Sequence, residues 1–161
     1  MFALSERAQD FIARTQAFIQ QEIEPIEKAF WDEVHHLNVD GDWTKWQWPA
    51  QLEQLKNKAK AAGLWNMFLP DAELGAGLSV QEYAHIAELT GRSLLAPTVF
   101  NCNAPDSGNM EVLWRYGSDE QKQQWLQHAV APRPVCFAST IDKEGNVNLS
   151  PFSFFNLFSS N

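Results

Sequence analysis

Between Leu4 and Val34 the apolar residues fall at Leu4, Ala8, Phe11, Ile12, Phe18, Ile19, Ile23, Ile26 and Phe30. Steps of three, four and seven put them on one stripe of a long helix, which the two-residue period of a strand cannot do. A stripe of that length must be buried, so the chain is committed to packing further helices against it. Ser5 suits the N-cap, and Glu6 follows in the first turn. Pro25 interrupts the stripe, because its ring opposes the carbonyl of Gln21, and a kink or a helix end is expected there.

Further helices follow, with their stop signals in place. A polar loop is expected from His35 to Trp48, studded with Trp43, Trp46 and Trp48. Pro49 suits the first position of a second helix running to about Ala62, closed by Gly63 in the left-handed position. The stretch GLWNMFLPDAELGAGLS, with its Pro and three Gly, reads as a loop. Ser79 with Glu82 makes an S-x-x-E capping box for a third helix to about Arg92. After Pro97 and a short loop, a fourth helix is expected from about Pro105 to Tyr116, ended by Gly117. Ser118 and Gln121 form another capping box, opening a fifth helix through Trp125 and Leu126.

Near Val130 the character changes. RPVCFASTI is rich in β-branched and aromatic residues, DKEG is a turn, and NVNL follows, which is a hairpin signature. One hairpin cannot bury enough apolar surface to be stable alone. The last residues, SPFSFFNLFSSN, are apolar, low in charge and β-prone, so this end reads as an unfinished β unit. The expectation is a mainly α chain of five helices with a C-terminal hairpin remnant, divided into residues 1–129 and 130–161.

Charge excludes several partners. The formal net charge of -8 repels nucleic-acid phosphates and anionic membranes. No signal peptide and no membrane-spanning run is read, and Cys102 and Cys136 make no metal-type pair, so a cytoplasmic location is expected. His35, His36, Asp40 and Asp42 meet no metal-ligand spacing, and no metal site is assigned. Cys102 has no basic neighbour in sequence and reads as a buried thiol. Gly75-Ala76-Gly77 does not follow a strand, so it is a turn rather than a dinucleotide loop. Seven Trp and eleven Phe supply either core or an exposed face that expects a partner.

The segment GLWNMFLPDAELGAGLSVQEYAHIAELTGRSLLAP resembles the N-terminal helical domain of acyl-CoA dehydrogenases. The continuation FNCNAPDSGNMEVLWRYGSDEQKQQWL resembles the branch of that family found fused to kinase-like domains in animals and free-standing in bacteria. This resemblance covers about residues 4 to 128. It implies an FAD enzyme that oxidises the Cα–Cβ bond of acyl-CoA thioesters. In the family a Glu of the C-terminal helical domain is the base, and the middle domain makes most flavin contacts. The resemblance therefore assigns no catalytic residue here. The segment around Phe100 to Met110 is the nearest candidate for a wall of the acyl pocket.

The remaining stretch, RPVCFASTIDKEGNVNLSPFSFFNLFSSN, resembles the start of a flavin reductase-like FMN-binding split barrel. That resemblance implies Thr140, Asn148, Ser150, Ser153 and Phe154 as positions near FMN. Both families share a short Arg-to-Cys-Phe-Ala run at the junction, which predicts a fusion there. Three readings stand at this point. The first is a truncated acyl-CoA dehydrogenase, catalytically incomplete and binding no cofactor by itself. The second is a flavin reductase-like FMN protein with a helical leader. The third is a non-enzymatic helical module that binds a partner, forms a homo-oligomer or docks onto missing domains through exposed aromatics.

Overall fold

The computed structural model describes residues 3–104, 106–122, 136–141 and 147–152. Contacts divide it into two compact units, Met1–Ser107 and Gly108–Asn161. The protein is mainly α.

In the first unit, α1 spans Glu6–Phe18 and α2 spans Glu24–Leu37, joined by a π-helical turn at Ile19–Ile23. Pro25 therefore neither ends nor breaks the helix. It sits at the start of α2, where a missing N–H costs little, and the Glu24 N–H reaches back to the Ile19 carbonyl. The helix also runs past His35, where the sequence suggested a loop. The whole apolar stripe then faces one core. Phe11, Phe18, Ile19, Ile23, Phe30 and Val34 are buried there with Leu55, Ile86, Leu95, Val99 and Phe100. Phe18 meets Phe100 edge to face, with ring centroids 5.3 Å apart. Each buried Phe contributes about 1.5–3 kcal/mol by leaving water.

Helix α3 spans Gln51–Ala61, starting two residues later than Pro49 suggested. Its end is a Schellman motif. Gly63 has φ +65, the Gly63 N–H donates to Lys60 and the Leu64 N–H to Ala59. Helix α4 spans Val80–Thr90 and packs against α1. A single turn, α5 (Ala96–Val99), forms where only a loop was expected around Pro97, and packs against α3. Ser93 explains that turn. Its Oγ accepts from the Leu95 and Ala96 N–H groups and donates to Glu27 of α2.

Gly75 is required by close approach. A Cβ there would lie 2.5 Å from the Leu69 Cβ and 2.7 Å from the Asn66 carbonyl oxygen, so the 64–79 loop folds back on itself only because this position lacks a side chain.

Across Gly108, α6 spans Asp106–Tyr116 and ends at Gly117. The Ser118–Gln121 capping box opens α7, Asp119–Gln121; Trp125 and Leu126 lie outside the described residues. Strands β1 (Cys136–Ile141) and β2 (Val147–Phe152) pair antiparallel, with Cys136 opposite Phe152 and Ile141 opposite Val147. The expected turn between them, and the Phe-rich tail, lie outside the described residues.

One carboxylate caps two helices. Glu82 accepts through Oε2 from the Ser79 N–H and hydroxyl at 3.0 and 2.8 Å, the capping box of α4. Its Oε1 accepts from the Ser5 hydroxyl at 2.5 Å and the Ser5 N–H at 3.2 Å, while Ser5 Oγ caps α1 through the Ala8 N–H. The Ser5 hydroxyl, then the Ser79 and remaining Ser5 donors, hold the Glu82 carboxyl down to about 2 from an ordinary 4.5. A depressed folded pKa stabilises the fold above pH 4.5, and that contribution fades as pH falls toward 2. Glu82→Gln is expected to be less stable than the wild type at pH 6, with the gap between their melting temperatures closing across that acidic window. A gap independent of pH would show that the charge is not what matters.

Candidate functional site

The segment from Thr98 to Asn103 combines a left-handed backbone with half-buried polar side chains. Among the described residues, two non-glycine residues have left-handed backbones, Asn66 at φ 54 and Asn101 at φ 55. That conformation costs most L-residues about 1–2 kcal/mol, and Asn tolerates it better than any other side chain with a Cβ. The two face each other. Asn101 Nδ2 donates to Asn66 Oδ1 at 2.7 Å, and the Asn66 N–H donates to the Phe100 carbonyl at 3.1 Å. Together they clamp the loop after α3 to the segment after α5. Asn103 Nδ2 donates to Thr98 Oγ1 at 2.7 Å, and the Cys102 N–H to the Pro97 carbonyl at 2.8 Å, so the segment is also held from within.

Cys102 lies at the centre of this clamp. Its thiol donates to the Phe100 carbonyl at 3.3 Å, and the nearby Tyr83 hydroxyl and the Phe68 and Met67 N–H groups favour its charged form. Burial pushes the thiol pKa up, and these donors only partly offset it. Burial likewise drives the Tyr83 hydroxyl far above its usual range, with the neighbouring Cys102 adding to the effect. Both groups are therefore neutral near pH 7. A raised pKa disfavours the nucleophilic thiolate. The segment is uncharged, and its Val99 and Phe100 are buried in the core.

The clamp escaped sequence reasoning. The only local signal was Asn at two loop positions, and what makes them matter is a contact between residues 35 apart.

Other candidates resolve differently. Thr140 stands opposite Asn148 in the ladder and Ser150 opposite Ala138, so these three positions fall on one side of the hairpin. Ser153 and Phe154 lie outside the described residues. Asp42 is committed to the Thr44 N–H and hydroxyl and to Lys45, and Asp40 accepts from the Asp42 N–H. Among the described residues no three His, Cys, Asp or Glu groups gather as for a metal ion. No described helix is long and apolar enough to cross a membrane.

An open hollow of about 820 Å³ lies beside Ala3, Leu4, Ser79, Glu82, Ala84 and His85. Glu82, held anionic on its rim, opposes the phosphates of a flavin nucleotide or of CoA. The tight approach at Gly75 is filled by the chain's own Leu69 and Asn66.

Residues 5–132 match the family model "Acyl-CoA dehydrogenase, N-terminal domain". The chain belongs to the acyl-CoA dehydrogenase family. It is similar to acyl-CoA dehydrogenase family member 11 of Rattus norvegicus, at 48% identity over 127 residues, covering 79% of this chain and 16% of the relative. Against family member 11 of Gallus gallus it is 43% identical over 142 residues, covering 87% of this chain and 18% of the relative. A solved structure of an acyl-CoA dehydrogenase from Mycobacterium abscessus superposes with a TM-score of 0.68 at 56% identity, covering 78% of this chain and 32% of that one. The chain thus spans less than a fifth of the length of these curated relatives.

The match to the Gallus gallus family member bears on the join expected near residue 130. Since 87% of 161 residues is about 140, that match reaches about residue 140 wherever it starts. The likeness to this family therefore enters β1, and the family model itself runs to residue 132. Neither lends support to a split-barrel segment.

In a Cys136→Ser background, Cys102 is expected to react with an aromatic disulfide reagent at pH 8 more slowly in the native chain than in denaturant, since a raised pKa removes thiolate and the surrounding side chains limit access. Equal rates would contradict the buried, hydrogen-bonded thiol.

Proposed function

We propose that this chain acts as the helical N-terminal part of an acyl-CoA dehydrogenase, which with further domains oxidises the Cα–Cβ bond of an acyl-CoA thioester. The match of residues 5–132 to the family's N-terminal domain carries this reading. The helical part assigned to that role ends near residue 129. The catalytic base and the main flavin contacts belong to the regions that the resemblance places in other domains. By itself the chain is therefore expected to retain neither FAD nor FMN.

Within the reading, the Thr98–Asn103 segment forms part of the wall against which the acyl chain lies. Three properties support that role. The asparagine clamp fixes its backbone, Val99 and Phe100 back it with a dry core, and the thiol and hydroxyl at its centre are neutral. An acyl chain gains by burial against such a surface at about 0.8 kcal/mol per buried methylene, and a charged wall would forfeit that gain. Rigidity adds specificity, because a wall that does not yield sets how much of a chain can be accommodated.

The test is a chimera in which residues 5–132 replace the matching part of the Mycobacterium abscessus dehydrogenase. Purified as a holoenzyme and assayed with acyl-CoA substrates and an artificial electron acceptor, it is expected to keep acyl-CoA oxidation within about tenfold of the parent, because 56% identity leaves the packing pattern in place. A folded, flavin-loaded chimera without activity on any acyl-CoA would overturn the proposal.

A further inference from the structure

The surface at the end of α2 carries an apolar patch outside the core and outside the wall just described. Asn38 builds it. Its side-chain amide donates to the Gln47 carbonyl at 2.9 Å and accepts from the Gln47 N–H at 2.8 Å, so it pairs with that peptide as a neighbouring strand would. The same amide also donates to the Val34 carbonyl at the end of α2. This two-rung pairing sets the neighbours of Asn38 beside the neighbours of Gln47. Leu37 and Val39 flank Asn38, and Trp46 and Trp48 flank Gln47, so the pairing brings the two stretches together. All four are exposed, at 39%, 74%, 54% and 47% of their surface respectively. Trp48 is anchored from below, stacked on Phe30 at 6.3 Å and edge-on to Trp31 at 6.2 Å. The patch is thus fixed in shape rather than a floppy loop that happens to be greasy, and contiguous exposed apolar groups of this kind mark interaction sites.

Charge decides what fits it. Helical spacing sets Glu33 one turn from Leu37, and Asp40 follows Val39 in the chain. Among the described residues neither carboxylate is in an ion pair, whereas the other charges nearby are matched, Asp32 by Lys28 and Asp42 by Lys45. The border of the patch is therefore net acidic, on a chain whose formal charge is -8. Two exposed indoles beside unpaired carboxylates favour cations as well as apolar groups, because the indole face attracts a Lys or Arg head while the carboxylates neutralise it.

We propose that the Leu37–Val39–Trp46–Trp48 patch is a docking surface for a partner polypeptide segment that presents Lys or Arg side chains beside apolar ones, as a basic amphipathic helix does. The partner's apolar side chains cover Val39 and Trp46, and its cations meet Glu33, Asp40 and the indole faces. This inference is independent of the acyl-wall reading, since no residue of Thr98–Asn103 takes part.

The probe is a fluorescently labelled synthetic amphipathic helix of about 18 residues made of Leu and Lys, with a matched peptide of Leu and Glu, titrated with the full chain and read by anisotropy. The Leu–Lys peptide is expected to bind at least tenfold more tightly than the Leu–Glu peptide, and more weakly as salt is raised. Val39→Ser with Trp46→Ser is expected to weaken it at least tenfold. These side chains face solvent, so circular dichroism should report unchanged helix content. Glu33→Gln with Asp40→Asn is expected to weaken it at least threefold and to flatten the salt dependence. Equal binding of the two peptides would overturn the proposal by showing general stickiness. So would unchanged affinity in the folded Val39→Ser/Trp46→Ser chain, which would place the peptide elsewhere. Concentration-dependent dimerisation that this double substitution abolishes would overturn it in favour of a second copy of the chain.

Discussion

The fold depends on keeping one apolar stripe continuous across a proline. Pro25 cannot donate to the helix ladder, and its ring would collide with a carbonyl one turn back. Had the helix ended there, Phe30 and Val34 would leave the line set by Phe11, Phe18 and Ile23, and the core would split. The π-turn at Ile19–Ile23 absorbs the extra residue, so α1 and α2 act as one long rod with a single buried face. Every other element of the first unit is placed by that face. Helix α4 lies along α1 and shares a capping carboxylate with it, α2 reaches α5 through Glu27 and Ser93, and Phe18 supports Phe100. The support reaches the candidate wall directly, since Phe100 precedes the left-handed Asn101.

Polar side chains then do what the helices cannot. Irregular backbone leaves N–H and C=O groups that must be satisfied, and this chain satisfies many of them with side chains that imitate backbone. Asn38 imitates a strand, Ser93 caps a helical turn, and Asp71 accepts from the Glu73 and Leu74 N–H groups. The Asn66–Asn101 pair goes further, holding two strained residues against each other. The result is a set of loops held by side-chain hydrogen bonds, and both the Thr98–Asn103 segment proposed as an acyl wall and the acidic aromatic patch are built on such loops.

Much of this was legible in the sequence, and for identifiable reasons. The stripe, both capping boxes, the Gly63 stop and the β pairing after Val130 are local patterns whose physics is complete within a few residues. What was not legible depends on contacts far along the chain. Nothing local tells that Pro25 is absorbed by a π-turn, that Pro97 belongs to a helical turn set by Ser93 and Glu27, or that Glu82 serves Ser5 as well as Ser79. The tryptophans divide for the same reason. Trp31 and Trp48 touch Phe30 while Trp46 faces solvent, a split that depends on where Asn38 pins the loop. The family was legible because its motifs survive as a run of residues. The split-barrel resemblance rested on a short motif alone, and the dehydrogenase likeness extends into its territory.

The proposed wall role places the neutral segment from Thr98 to Asn103 against an acyl chain. The most direct measurement is photocrosslinking with an acyl-CoA that carries a diazirine at the end of its chain, bound to the flavin-loaded chimera, followed by mass mapping of the labelled peptides. The account predicts that labelling of residues 98–103 exceeds that of every other peptide from this chain and is lost when unlabelled acyl-CoA competes. Labelling confined to other parts of the chimera, with the substrate bound and competed in the same way, would contradict it.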